Sequence, residues 1–460
     1  MKKLSGILFA ALIFAAPLAM YAEIESTAGS MKVGVHMDIS YRWSGESNKD
    51  AAEPGHEDEI GWLGYDTFSA GDIMIEITGK IGDRLTYKIL QGLVYGDFVM
   101  MSPTLEGEMG GLPKMPWGPG DSGVIMAMPK TNPTMDVFIQ PMEAYSDFKV
   151  IDQLKVRFGR SVIPTLLANT GVHRANVIHT ANPPLIANRV FGFNEMLVNM
   201  ALTSPTGPEG SPGGFFRVPL PLNVTGAGFI VTPLEGVELE YKAYNEWFNG
   251  GAGNLLGLLK VIETTGDLAF DYNRTKGWDL ALTLAHDLGP GKLTVRGFYF
   301  DEYIDLHNLN FTATPIQSPL NGRNFGWGAG LNYDAKKFFF GGEYATDTLT
   351  WSEKPDGFDK KGNTWSGFYA QVGGRFGDIQ PVYRYDFIDY TSLKNNDIEY
   401  EDIDIESFDT ETWHTFGINY LANDHTTAGI DYVIKKPEEM KDVKYPNINE
   451  IIVMMELDLL

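Results

Sequence analysis

The sequence predicts an all-β protein, a transmembrane antiparallel β-barrel of sixteen strands, and three observations support this. Apolar and polar residues alternate with a period of two over stretches long enough to cross a bilayer obliquely. The connections between these stretches are alternately long and short. The N-terminus has the composition of an export signal, as expected of a protein destined for a membrane beyond the cytoplasm.

The clearest alternation runs from Met31 to Trp43, where every odd position is apolar and every even position is polar or small. A typical soluble strand has ~5–6 residues, whereas a strand that crosses a membrane needs ~9–11. The same alternation recurs over 142–150, 324–334 and 426–435. Because a mean hydropathy of −0.15 with 21% charged residues cannot supply several apolar helices of ~20 residues each, strands rather than helices must cross the membrane.

Applied along the whole chain, the alternation predicts sixteen strands. They lie near residues 31–43, 72–81, 84–101, 133–150, 153–160, 222–233, 236–248, 277–287, 292–303, 324–334, 337–351, 365–376, 379–390, 412–421, 425–435 and 450–460. The short connections contain turn residues, such as Gly82-Asp83 and Gly377-Asp378. Strict alternation of short and long connections is typical of outer-membrane barrels, which have short periplasmic turns and long external loops. The sheet must close on itself because hydrocarbon offers no hydrogen-bond partner to an open edge.

One segment fits the alternation poorly. Residues 189–202 resemble a strand, but a crossing strand there would reverse the order of long and short connections after it. We therefore predict that 161–221 is one long third loop folded into the lumen, with an eighteen-stranded barrel as the alternative. The domain prediction is accordingly a signal peptide over 1–22 and a single barrel domain over 23–460.

The first residues and the composition predict the compartment and exclude several classes of protein. Lys2 and Lys3 precede an apolar run from Leu4 to Ala16, and Ala22 offers a small residue for cleavage. Together with the strand pattern, this predicts the bacterial outer membrane, with the exact cleavage site left open. The absence of cysteine excludes disulfides and thiolate chemistry. A net charge of −24 argues against nucleic acid as a partner.

Two stretches resemble a known family. Residues Phe138 to Pro164 read FIQPMEAYSDFKVIDQLKVRFGRSVIP, an aromatic strand, a short turn, a basic strand and a Gly-Arg-x-x-x-Pro ending. The C-terminal stretch reads GINYLANDHTTAGIDYVIKK and is followed by IIVMMELDLL. Both resemble the phosphate-selective porin family of O and P type. The resemblance implies a sixteen-stranded, homotrimeric porin in outer-membrane lipid, conducting small hydrophilic solutes or inorganic anions. The family's lysine cluster and arginine ladder do not map onto this sequence, so phosphate specificity is not implied.

The sequence also suggests residues that line the pore or its constriction. They are Lys155, Arg157, Arg160, Arg174, Arg189, Arg217, Arg384, Asp386 and Tyr145. Because rings of Arg or Lys favour anions in narrow pores, the basic members predict a weak anion preference. A purely structural interpretation stays open, in which Arg384 pairs with Asp386, Lys80 with Glu76 and Lys149 with Asp147 along the wall. Most of the nine tryptophans lie near predicted strand ends, which favours girdles at the headgroup level over a stacking track in the lumen.

Two other functions remain as alternatives to the porin. A barrel hydrolase would need a Ser or Asp with a His on one rim, and the sequence cannot place such a pair. A surface adhesin or receptor could use the acidic loops 44–70 and 391–411, whose net charges are −6 and −7. Solvated external surface is the favoured interpretation of those charges. The eight histidines show no i, i+4 pairing, so we expect no metal, no cofactor and no catalytic residues.

Overall fold

The structure is a computed structural model, and it describes only part of the chain. The described residues are 22–26, 29–44, 66–95, 99–102, 124–127, 137–163, 167, 184, 186, 222–244, 276–305, 321–351, 362–389, 399–400, 403–404, 410–423, 425–437 and 447–458. Within this part, sixteen long strands form one closed antiparallel barrel. The predicted fold class and strand number are therefore confirmed. Residues 189–202, on which the eighteen-stranded alternative depends, lie outside the described residues.

The barrel strands follow one another around the wall in chain order. They are β1 (Gly29–Ser44), β2 (Asp66–Ile81), β3 (Leu85–Tyr95), β4 (Val137–Ile151), β5 (Leu154–Ile163), β6 (Leu222–Leu234), β7 (Val237–Tyr244), β8 (Gly277–Leu288), β9 (Gly291–Asp305), β10 (Asn321–Ala335), β11 (Phe338–Trp351), β12 (Gly362–Gly374), β13 (Ile379–Asp389), β14 (Thr410–Asn423), β15 (Thr426–Pro437) and β16 (Ile448–Asp458). Closure comes from β1 and β16, which pair from His36 opposite Asp458 to Ser44 opposite Glu450. This pairing leaves neither strand as an open edge over its paired length.

All the short connections lie at one end of the barrel, and the strand ends from which the long connections leave lie at the other. Four of the short turns contain a glycine with positive φ, a backbone conformation that side chains disfavour. These are Gly82 (φ 60°), Gly236 (φ 76°), Gly289 (φ 60°) and Gly377 (φ 63°). The turn residues in the sequence therefore identify one end of the barrel as the periplasmic end, because outer-membrane barrels have their short turns there.

A short strand outside the barrel count, Ala22–Ser26, extends the sheet at the closure. It pairs with the beginning of β1, from Ala22 opposite Val33 to Ser26 opposite Gly29. The same edge of β1 pairs with β16 from His36 onward. Two further hairpins lie apart from the barrel sheet: Val99–Ser102 pairs with Val124–Ala127, and Glu399–Tyr400 pairs with Ile403–Asp404.

Two predicted strands differ from the observed ones for a local reason. The predicted strand 84–101 is β3, which ends at Tyr95, and the four residues from Val99 belong to a separate hairpin. β2 begins at Asp66, earlier than the predicted residue 72. A bulge between the pairs Met37–Ile73 and Ile39–Ala70 inserts an extra residue into β2. Because a bulge reverses which positions face the core, the alternation changes phase there and the sequence pattern is interrupted.

The two faces of the wall differ as the alternation predicts. Outward positions are large, apolar and exposed, for example Phe158, Val372 and Ile418, which are 55%, 51% and 59% exposed. Inward positions on the same strands are mostly polar or glycine, and most are buried. Among the described residues, no helix is long and apolar enough to span a membrane.

Candidate pore wall

An ion-pair network covers the inward face of β4, β5, β7 and β9. Its first centre is Arg157 on β5, which binds Asp147 on β4 in bidentate geometry, with Nε to Oδ1 at 2.7 Å and Nη2 to Oδ2 at 2.9 Å. The third guanidinium nitrogen, Nη1, donates to Glu240 Oε1 on β7 at 3.1 Å. Paired, charge-assisted hydrogen bonds of this kind fix the orientation of the guanidinium plane as well as its position.

Glu240 is the second centre of this network. Its Oε1 atom lies 3.6 Å from Lys242 Nζ, and its Oε2 atom lies 3.5 Å from Arg296 Nη2 on β9. Arg157 reaches Glu240 although β6 runs between their strands. Gly228 on β6 stands in register with Arg157 on one side and Lys242 on the other, and it has no side chain to occupy the gap. The glycine thereby lets charges on alternate strands meet over β6.

The network continues towards β2 through Tyr145 and Lys88. The Arg157 guanidinium lies 4.1 Å from the centre of the Tyr145 ring, a cation–π contact. Lys88 Nζ lies 2.8 Å from Glu143 Oε2 and 3.3 Å from Glu76 Oε2. Inward charges on β2, β3, β4, β5, β7 and β9 are thus linked side by side.

The inward face of β13 to β15 has a second group of polar contacts. Arg384 Nε donates to Asp386 Oδ2 at 2.8 Å, and both side chains are fully buried. On β14, Trp413 Nε1 donates to Glu411 Oε1 at 2.6 Å. Lys435 on β15 lies over the Trp413 ring at 4.6 Å. Trp413 therefore faces the lumen, and for this residue the predicted headgroup girdle is wrong.

The structure brings some of the predicted pore residues together and separates others. Arg157, Tyr145, Arg384 and Asp386 all face the lumen, in the two groups described above. Lys155 shares the face of Arg157 but is exposed near the turn that precedes β5. Arg160 stands in register with Thr225 and Ala144, and so lies on the opposite, outward face from Arg157. The loop residues Arg174, Arg189 and Arg217 lie outside the described residues.

Of the three ion pairs suggested by the sequence, the structure contains Arg384–Asp386. Glu76 instead contacts Lys88 on the neighbouring strand, because inward positions of adjacent strands lie closer together than positions four apart on one strand. Asp147 binds Arg157, and Lys149 Nζ binds Asp152 in the turn. The hydrogen bond from Lys149 lowers the pKa of Asp152 below its ordinary value.

Sequence reasoning missed most of the buried interior charges. Among the described residues, eleven inward carboxylates are buried, against three inward Lys and Arg side chains. The carboxylates are Asp147, Glu240, Asp279, Glu302, Glu343, Asp347, Asp386, Glu411, Asp431, Glu450 and Glu456, and the cations are Lys242, Arg296 and Arg384. The signal was present, since Glu238, Glu240 and Lys242 occupy alternate positions of one strand. In the same part of the chain, no group of three or more His, Asp or Glu residues could hold a metal ion.

A closed sixteen-stranded barrel with an apolar outside and a polar inside is the architecture of outer-membrane channel proteins. It defines the class of this protein and its location in the bacterial outer membrane.

Comparisons with known proteins agree with this class. No family model matches the sequence, and no curated protein matches it. The fold is similar to an anion-selective porin from Comamonas acidovorans, with a TM-score of 0.51 and 11% identity, covering 94% of this chain and 100% of the porin. It is also similar to the outer membrane channel DcaP of Acinetobacter baumannii, with a TM-score of 0.50 and 10% identity, covering 95% of this chain and 100% of the channel. The chain therefore has the fold of outer-membrane porins.

Proposed function

We propose that this protein is a non-enzymatic porin through which small hydrophilic solutes diffuse. The observation that carries the proposal is the inward face of the barrel, where charged and polar side chains line a wall of sixteen strands. A barrel of ~16–18 strands encloses an aqueous channel, whereas one of ~8 strands is filled by its own side chains. The two similar structures, one of a porin and one of an outer membrane channel, support the fold on which this argument rests.

The test is conductance of the purified mature protein in planar bilayers, with swelling of proteoliposomes in small sugars as a second readout. We expect stepwise, ohmic current increases and swelling rates that fall as the sugar becomes larger. A preparation that inserts and resists heat unfolding but gives neither current nor swelling would contradict the porin proposal. It would leave the barrel hydrolase and the surface adhesin as the functions to test next.

The proposed channel includes the third loop as its constriction. Two described residues of the 161–221 segment support this, because Leu167 and Ile186 are both buried against inward residues of β11 and β12. A segment that begins at the end of β5 and contacts β11, six strands further around the wall, narrows the opening between them.

Ion preference is a finer part of the proposal. The weak anion preference predicted from the sequence depends on six basic residues, of which three lie outside the described residues. They are Lys155, Arg157, Arg160, Arg174, Arg189 and Arg217, the last three being those outside. The described wall favours cations, because its buried carboxylates outnumber its buried Lys and Arg side chains. We propose that the wall dominates and that the pore prefers cations weakly. A reversal potential in a salt gradient gives the sign, and a clear anion preference would restore the prediction from the sequence. The same excess of carboxylates leads us not to propose a phosphate-selective porin.

Processing and assembly complete the proposal. We propose cleavage after Ala22 because the chain before it would meet the last strand. Ala22 stands opposite Val33 and Asp458 stands opposite His36, so only the positions opposite Gly34 and Val35 separate the two segments on this edge of β1. The mass of the purified protein tests this cleavage site. A homotrimer, implied by the family resemblance, is tested by the mass of the detergent-solubilised complex.

A further inference from the structure

The outward face of β9 to β12 changes from apolar to polar along its length. Towards the periplasmic turns it carries exposed apolar side chains, such as Val295, Leu331 and Phe340. Towards the external ends of the same strands, seven outward positions are charged or carry a hydroxyl group. Each lies an even number of positions from an exposed apolar residue of its own strand, so it shares the outward face. These positions, here called the outer collar, are Asp301 on β9, Arg323 on β10, Thr346, Thr348 and Thr350 on β11, and Thr364 and Ser366 on β12.

The strand register joins the collar into one continuous surface. Arg323 stands opposite Thr350 in the pairing of β10 with β11, and Thr348 stands opposite Thr364 in the pairing of β11 with β12. The Oγ1 atoms of Thr348 and Thr364 lie 3.0 Å apart. Thr350 Oγ1 donates to the backbone carbonyl of Arg323 at 3.3 Å. The hydroxyl groups of two strands therefore lie directly beside the arginine.

The guanidinium of Arg323 has a fixed orientation on this surface. Its Nε atom donates to Asp301 Oδ1 at 2.8 Å, and its Nη2 atom donates to Oδ2 of the same carboxylate. Nη2 also donates to the Tyr299 hydroxyl at 3.4 Å, and the guanidinium carbon lies 4.8 Å from the centre of the Phe325 ring. Within the part of the chain that the structure describes, Nη1 makes no hydrogen bond, and the side chain is 52% exposed. The contacts thus orient the guanidinium and leave one nitrogen for a ligand outside the barrel.

Aromatic side chains place the collar at the level of the lipid headgroups. Trp278 on β8 stands opposite Asp301, and its ring centre lies 5.1 Å from that of Tyr299. Trp327 on β10 stands opposite Tyr299, faces outward and is 47% exposed. Amphipathic rings of this kind favour the membrane–water interface. Because the short turns identify the periplasmic end, the interface beside the collar is the external one.

The chemistry of the collar fits a phosphate group linked to a sugar. Phosphate oxygens accept hydrogen bonds from an arginine, and threonine hydroxyls can both donate to and accept from sugar hydroxyl groups. The Asp301 carboxylate balances the charge of Arg323, so the collar attracts a free phosphate ion only weakly. A lipid gains further contacts, because its acyl chains would lie on the exposed apolar residues of the same strands, such as Leu331 and Phe340.

We propose that the outer collar binds the phosphorylated sugar headgroup of a lipid in the external leaflet, with Arg323 Nη1 donating to the phosphate. Hydroxyl groups on β11 and β12 bind the sugar, and the acyl chains lie along the apolar rows below them. This lipid site goes beyond solute diffusion and does not depend on it.

The first experiment measures binding of diphosphorylated lipid A to the purified protein in detergent by native mass spectrometry. Arg323→Gln should weaken the apparent affinity by about ten- to hundredfold, the usual effect of losing a charge-assisted hydrogen bond. Arg375→Gln is the matched control. Arg375 also pairs with an aspartate, Asp334, and lies 5.2 Å from the Phe339 ring centre, but it stands beside a periplasmic turn. We expect this control to bind lipid A as the wild type does.

A second variant leaves the ion pair intact. Thr348→Val with Thr364→Val removes two hydroxyl groups of similar size to the methyl groups that replace them, and it should weaken lipid A binding severalfold. Thermal unfolding in detergent shows that each variant is folded. If Arg323→Gln and the double threonine variant both bind like the wild type, the collar is only an ion pair at the rim and the proposal is wrong. Equal losses in Arg323→Gln and Arg375→Gln would also overturn it.

The phosphate and the lipid are tested separately with the wild-type protein. Lipid A from which the phosphates have been removed should bind weakly, and Arg323→Gln should not weaken it further. Phosphatidylglycerol, which has a phosphate but no sugar, should bind less tightly than lipid A. Excess inorganic phosphate should not displace lipid A. Displacement by inorganic phosphate would assign the site to the free ion and overturn the lipid proposal.

Discussion

At the scale of single residues, the interior depends on buried charges that compensate one another. Glu240 is 7% exposed and contacts Arg157, Lys242 and Arg296. Removing one member of such a group leaves the others charged and buried, which costs more free energy than the intact group contributes. Removing the Glu240 carboxylate would therefore destabilise the fold mainly because Arg157, Lys242 and Arg296 would each lose an anionic partner, although Arg157 would keep Asp147.

This argument predicts the effect of Glu240→Leu. We expect the free energy of unfolding in detergent micelles, measured by guanidinium titration, to fall by about 3–5 kcal/mol, the usual cost of breaking a buried charge pair. Glu238→Leu is the control, because Glu238 lies two residues earlier on the same face and is only half-buried. Equal losses in the two variants would show that Glu240 has no special part in compensating the network.

At the scale of the strand, the outward side chains are apolar because they contact lipid, and not because they pack against other parts of the chain. Leu280, Leu282 and Leu284 alternate along β8 and are 37%, 42% and 42% exposed. In water, such a row would promote aggregation, but in a bilayer it meets lipid chains. The cost of a charge there depends on depth, because the ends of the strand approach the headgroups.

The depth dependence gives a prediction on one strand. Leu282→Arg, at the middle of β8, should lower the free energy of unfolding from lipid vesicles by ~2–4 kcal/mol, while Leu288→Arg, next to the turn, should cost ~0–1 kcal/mol. Both residues face outward and are similarly exposed, which makes them a matched pair. If the two variants lose the same amount of stability, β8 does not cross the bilayer as described.

At the scale of the whole molecule, the closed sheet and its exposed apolar outer surface together determine that the protein is stable only in a membrane or in detergent. The barrel has no open edge between β1 and β16 over their paired length, and its outside is rich in exposed aromatic and aliphatic side chains. We expect the mature protein to remain monodisperse only in detergent or lipid and to aggregate when detergent is removed, as measured by light scattering. A compact, monodisperse particle in detergent-free buffer would contradict the assignment to the membrane.

The sequence predicted the barrel well because the controlling pattern is local. Each strand has lipid on one face and water on the other, so its apolar and polar residues alternate with a period of two. Every second connection is also a short turn. These two local patterns allowed the strands to be counted from the amino-acid sequence alone. The prediction failed where pairing disturbed the local pattern. The bulge in β2 interrupts the alternation, so the prediction omitted the first six residues of that strand, from Asp66 onward. The prediction also added the short strand at Val99 to the end of β3, although that strand belongs to a separate hairpin.

The pore wall was only partly predictable, for a related reason. The alternation assigned Tyr145, Arg157, Arg384 and Asp386 to the lumen, but it could not tell which charges would meet. Register decided that Lys88 rather than Lys80 contacts Glu76. Arg160 is a different case, because it lies three residues after Arg157 on one strand and the alternation alone puts the two side chains on opposite faces.

By itself, the sequence determined the class of fold, the number of crossings and the side of the wall on which most residues lie, because each depends on neighbours along the chain. Tertiary structure alone decided which strands bring charges together, how Gly228 lets Arg157 reach Glu240, and where Leu167 and Ile186 contact the far wall. Those contacts join residues far apart in sequence. Their geometry follows from the stagger and curvature of the closed sheet, which no local pattern contains.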